Sequence, residues 1–111
     1  MEIYKNQAEV EADIIDSVLT IEGDVSFEFN LKIEASIIVK AGNIKAGDIK
    51  AWNIEAGDIK ARNIEAWNIE AGDISFYAVC WSYISLKCKS IVGRREKSKY
   101  FCIDKEVEYE I

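Results

Sequence analysis

Residues 41–75 read AGNIK AGDIK AWNIE AGDIK ARNIE AWNIE AGDIS. Alanine recurs at positions 41, 46, 51, 56, 61, 66 and 71, and isoleucine at 44, 49, 54, 59, 64, 69 and 74. Asn or Asp precedes each of those isoleucines. A period of five excludes the two simple regular structures. On an α-helix, five residues turn about 500°, so successive isoleucines scatter round the axis. On one flat strand, an odd period sends them to alternate faces. A chain that turns a corner once per pentad resolves the conflict. Ile and the Ala two residues later then point inward from a very short strand, and the intervening Lys, Glu or Ser points outward. The Gly/Trp/Arg–Asn/Asp pair makes the corner, where Asn, Asp and Gly tolerate turn geometry. Stacked coils of this kind form a mainly β solenoid with a narrow Ile/Ala core.

The number of pentads per coil sets which outward charges stack. Neighbouring coils lie about 4.8 Å apart, so stacked side chains interact. Three pentads per coil would place Lys45 over Lys60 and Glu55 over Glu70. Four would place Lys45 over Glu65 and Lys50 over Glu70, with Trp52 beside Gly72 and Trp67 beside Gly47. On charge grounds the expectation is a four-sided coil. Val39, Val79 and Ile84 keep the isoleucine phase, which extends the regular pentads over residues 36–86.

The period and the Asn/Asp-aliphatic pair resemble the pentapeptide-repeat family, with a weaker resemblance to the bactofilin-type β-helix. The first resemblance implies right-handed, four-sided coils. It also implies a binding role, since some members of that family act as DNA-like acidic surfaces that inhibit DNA-binding enzymes. That family usually carries a small residue two positions before the central aliphatic. Here that position holds Gly42, Gly47, Trp52, Gly57, Arg62, Trp67 and Gly72.

The flanks read as caps on a single domain, 1–111. Residues 5–17 have Val10 and Ile14, with Val18 just beyond them, at helical spacing, so residues 1–17 are expected to form a short N-terminal helix and cap. Residues 18–86 form the solenoid, opening with less regular strands on either side of Gly23-Asp24. Residues 87–111 are expected to form a C-terminal β-hairpin, with Gly93–Lys99 (GRREKSK) as the loop between strand-like Tyr83–Val92 and Tyr100–Ile111.

Composition narrows the function. The chain has 111 residues, a net charge of −6, and neither proline nor histidine. The first 35 residues hold nine acidic and two basic side chains, and residues 76–111 hold five and seven. This argues against direct nucleic-acid binding through a broad basic face. Cys80, Cys88 and Cys102 are odd in number, with no C-x-x-C pair and no histidine to join them, so reduced thiols and no metal site are expected. No apolar run approaches the length of a membrane span or a signal sequence, and a cytoplasmic protein is expected. No nucleophile elbow, phosphate loop or matched acid/base pair is visible, so neither an enzyme nor a cofactor is expected.

The candidate site residues fall in two groups. Glu9, Glu11, Asp13 and Asp16 on the N-terminal helix, with Trp52 and Trp67 on the solenoid wall, would bind a partner protein. The charges would steer it and the tryptophans would anchor it. Arg94, Arg95 and Lys97 would form an anion-binding cluster. Of three readings, the favoured one is a small acidic antagonist of a nucleic-acid-binding protein, of the size and charge typical of phage anti-defence or anti-CRISPR proteins. The alternatives are a self-associating solenoid, for which a homodimer is compatible, and a phosphate- or RNA-binding module using the basic segment.

Overall fold

The computed structural model describes residues 1–110, and its strands stack in parallel as a β-solenoid of about five turns. Three walls run along the solenoid. The first stacks Glu2–Tyr4, Val25–Phe27, Ile44–Ala46, the start of Ile59–Glu70, the start of Asp73–Cys88, and Ser90–Gly93. The second stacks Leu31–Lys32, Asp48–Lys50, the middles of the same two long strands, and Lys99–Cys102. The third stacks Val18–Glu22, Ser36–Lys40, Asn53–Glu55, the ends of the two long strands, and Glu108–Tyr109.

The inward columns follow from the pentad. Ile44, Ile59 and Ile74 superpose on the first wall, Ile49 and Ile64 on the second, and Ile37, Ile54 and Ile69 on the third. All are buried, as are Ala51, Ala61, Ala66 and Ala71 between them. A parallel ladder satisfies every backbone group of a coil except at the two ends. A prolineless sequence suits that arrangement.

Each coil of the regular repeat therefore holds three pentads, while the coils before it are longer, and the four-sided expectation is corrected. Lys45 does pair with Lys60, and Glu55 with Glu70. These outward charges stand in water, where repulsion is weak and screened. What fixes the register lies at the corners. A Cβ on Gly57 would lie 2.6 Å from the Gly42 carbonyl oxygen, and one on Gly72 would lie 2.8 Å from Asp58 Oδ1. Only a column of glycines allows this approach, and Gly42, Gly57 and Gly72 are spaced by one coil. Trp52 accordingly lies against Trp67, not against Gly72.

Three Asn/Asp ladders line the corners. On the corner entering the first wall, Asp58 N–H donates to Asn43 Oδ1 (2.8 Å) and Asp73 N–H to Asp58 Oδ1 (2.8 Å). Entering the second wall, Asn63 Nδ2 donates to Asp48 Oδ1 (2.9 Å). Entering the third, Asn68 Nδ2 donates to Asn53 Oδ1 (2.8 Å), and Ser85 Oγ donates to Asn68 Oδ1 (2.6 Å). The recurring Asn/Asp before each isoleucine thus carries a hydrogen-bond ladder along the solenoid, its side-chain oxygen accepting in these bonds from backbone N–H groups on the first corner and from side chains on the other two.

Two further expectations are corrected, and a third is narrowed. The pentad phase breaks after Ile74, because register shifts follow Phe76 and Ser82. Tyr77-Ala78 and Tyr83-Ile84 widen the corners, so Cys80 and Leu86 take the inward places, while Val79 sits beside Asn63 and Ile84 is exposed. The expected N-terminal helix is present as one short element, Gln7–Ala12, capped by Asn6; Asp13 ends it, and Asp16 and Ser17 beyond it have positive φ. The C-terminal segment is not a hairpin. Ser90–Gly93, Lys99–Cys102 and Glu108–Tyr109 each pair in parallel with the preceding coil and form one more turn of the solenoid. Ile111, assigned to the second hairpin strand, lies outside the described residues. Inward-facing Tyr100 and Tyr109 share a hydrogen bond between their hydroxyls (2.8 Å), and Tyr100 packs edge-on against Phe76 over the end of the core.

Candidate protein-binding surface

The corner between the second and third walls carries the aromatic residues. Because the register superposes residues one coil apart, Trp67 falls directly over Trp52. Their rings stack with centroids 5.2 Å apart and planes 3° from parallel. The corner bulge then brings in Tyr83, which meets Trp81 edge-on at 4.6 Å. Trp81 faces outward from the second wall and stacks on Phe101 of the next coil at 5.8 Å. Trp67, Tyr83 and Phe101 are exposed, each by more than two-fifths of its surface, and Trp52 and Trp81 are half-buried. The stacked rings are rigid, so little side-chain entropy remains to be lost on binding.

A cleft of about 300 Å³ runs beside this corner, bordered by Trp52, Trp67 and Tyr83 on one side and by Lys32, Lys50 and Glu65 on the other. Lys50 and Glu65 are neighbours in the register and form an ion pair of 3.1 Å. The site thus combines an apolar shelf with a polar border.

The four N-terminal carboxylates do not form one patch with the tryptophans. Glu11 comes nearest: it borders a second cleft with Ile14, Lys32 and Glu34, and the last two also line the tryptophan cleft. Glu9 is tied into the helix start, accepting from Lys5 N–H at 2.7 Å while its own N–H donates to Asn6 Oδ1. Asp13 accepts the Tyr4 hydroxyl at 2.8 Å and opens onto another cleft with Glu2 and Glu22. Burial, joined by this hydrogen bond, pushes the Tyr4 hydroxyl far above its ordinary range. Asp16 sits in the positive-φ turn after the helix. All four are exposed.

The basic cluster is also split. Arg94 is a strap, with its guanidinium donating to Ser75 Oγ (2.9 Å) one coil back and to the Ala61 carbonyl (3.0 Å) two coils back. Arg95 and Lys97 are exposed on the turn. The cysteines are unpaired. Cys80 and Cys88 are buried and Cys102 is half-buried, and burial pushes the Cys80 thiol up to about 12. Among the described residues, no three Cys, Asp or Glu side chains converge on a metal-sized site. No helix is long and apolar enough to cross a membrane.

Sequence reasoning picked out Trp52 and Trp67 but missed Tyr83, Trp81 and Phe101 as their extension. The fifteen-residue spacing of the two tryptophans was the available signal. No family model matches this chain, and no curated protein or solved structure is detectably similar to it.

Proposed function

We propose that this chain is a non-enzymatic, cytoplasmic protein-binding module that engages its partner through the aromatic corner. The observation that carries this reading is the stacked, half-exposed Trp52–Trp67 pair, extended by Tyr83, Trp81 and Phe101. Tryptophan and tyrosine dominate binding hot spots, and a contiguous exposed aromatic surface needs a purpose in a solvated protein. Water-facing rings are not required to close this corner, since Gly42, Gly57 and Gly72 close another one with no side chain at all.

The charge of −6, concentrated in the first third of the chain, favours a basic partner. An acidic antagonist of a nucleic-acid-binding protein, analogous to phage anti-defence and anti-CRISPR proteins, fits both features. Support comes from charge and aromatic display rather than from the pentapeptide-repeat resemblance, since the coil here has three sides where that family has four.

Affinity capture from a bacterial lysate, with and without nuclease, tests the proposal. A protein retained after nuclease treatment by the wild type, and lost from a folded Trp67→Ala variant, is the expected result. Retention of nucleic acid alone, or equal retention by both forms, would refute it.

A further inference from the structure

The last described coil is paired on one side only. Among the described residues, Ser90–Gly93, Lys99–Cys102 and Glu108–Tyr109 pair only with the coil before them, so each leaves one row of backbone groups unpaired. Val92, Tyr100, Phe101, Ile103 and Tyr109 are exposed on the same coil. Such an edge, lined with apolar side chains, is a template for another strand.

The charges on this coil indicate which strand. Apart from Glu96, the charges on the turn from the first wall to the second are basic, Arg95 and Lys97 beside the strapped Arg94, and Lys99 follows it. The turn from the second wall to the third carries Asp104 and Glu106. None of Arg95, Lys97, Lys99, Asp104 and Glu106 takes part in an ion pair among the described residues, whereas Lys87–Glu110 and Lys105–Glu108 pair locally. The coil therefore presents a free basic turn and a free acidic turn on either side of the strand Lys99–Cys102.

We infer that this end binds the same end of a second copy of the chain. A two-fold axis through the middle of Lys99–Cys102, perpendicular to the solenoid axis, lays that strand antiparallel against its own copy. The same operation exchanges the first wall with the third. Ser90–Gly93 then faces the partner's Glu108–Tyr109, and the basic turn faces the partner's acidic turn, twice over. An isologous interface requires this kind of self-complementarity. Head-to-tail stacking lacks it. At the N-terminal end the helix Gln7–Ala12 sits over the second wall, with Gln7 Nε2 donating to the Lys32 carbonyl oxygen at 2.7 Å, so the position that would receive Lys99–Cys102 in a head-to-tail stack is blocked and only Glu2–Tyr4 and Val18–Glu22, on the first and third walls, keep an open edge there.

The test is the mass of the full chain in solution by light scattering and native mass spectrometry, at low and high salt. Two chains at low salt, separating as salt rises, are expected. Arg95→Glu with Lys97→Glu should give a single-chain mass, since two acidic turns then meet. Asp104→Lys with Glu106→Lys should do the same with two basic turns. Mixing the two variants should restore a two-chain species containing one of each, because every facing pair is again of opposite sign. A single-chain mass for the wild type at all concentrations would overturn the inference, as would a ladder of higher masses. A two-chain mass that survives both reversals would also overturn it. The wild-type result decides the matter even if a variant loses its β circular-dichroism spectrum.

Discussion

Ser82 occupies an inward place that Ala66 holds one coil earlier, and its hydroxyl is buried without a hydrogen-bond partner among the described residues. An unsatisfied buried hydroxyl costs about 1–3 kcal/mol. Ser82→Ala should therefore raise stability by about 1 kcal/mol, read as a higher urea midpoint at unchanged slope; a lower midpoint would mean that the hydroxyl has a partner. Ile54 and Glu55 test the inward and outward places of the pentad. Ile54 is 1% exposed, so Ile54→Asp buries an unpaired charge and should cost about 4 kcal/mol or more. Glu55→Ala should change stability by less than about 0.5 kcal/mol. At this scale the sequence was readable, because one pentad sets both the period and the face of each side chain. Arg94 was not: its guanidinium reaches back to Ala61 and Ser75, contacts that depend on which residues the coil superposes.

The coil as an element was legible in outline, and its size was not. Weighing outward charge pairs gave four pentads, but those pairs contribute little in water. The decisive terms are steric and lie at the corners, where Gly42, Gly57 and Gly72 allow close backbone approach and Trp52 meets Trp67. Both sets repeat every fifteen residues, a spacing that marks three pentads without any appeal to charge. The last coil was misread because its strand-like segments flank a polar loop, which is equally the pattern of a hairpin. Only non-local pairing with Asp73–Cys88 separates the two. This coil and its neighbour should make the protein alkali-sensitive. The Cys80 thiol titrates near 9.0 in the unfolded chain and near about 12 in the fold, where burial favours its neutral form. The Tyr109 hydroxyl is likewise pushed up to about 12, chiefly by its hydrogen bond with Tyr100. Above about pH 9 the unfolded chain releases the Cys80 proton first, so the stability present below that pH is lost progressively as pH rises toward about 12. Melting temperature should fall over that range, and Cys80→Ala should flatten the fall. A flat profile in the wild type would place the thiol in a water-accessible site.

For the whole molecule, the solenoid converts a short repeat into a wall on which side chains one coil apart stand in rows. One row became an aromatic shelf, and of the four N-terminal carboxylates only Glu11 comes near it, through the cleft it shares with Lys32 and Glu34. The two components of the proposed site should therefore separate kinetically. Neutralising Glu9, Glu11, Asp13 and Asp16 to their amides should slow association and weaken its salt dependence, because those charges act at a distance. Trp67→Ala should leave association nearly unchanged and speed dissociation about tenfold or more, because the ring contributes buried contact. The most direct measurement is the binding kinetics of the captured partner with wild-type, Trp67→Ala and Arg95→Ala/Lys97→Ala proteins at two salt concentrations. The account predicts fast dissociation for Trp67→Ala alone; unchanged dissociation in that variant, with binding lost when Arg95 and Lys97 are removed, would contradict it.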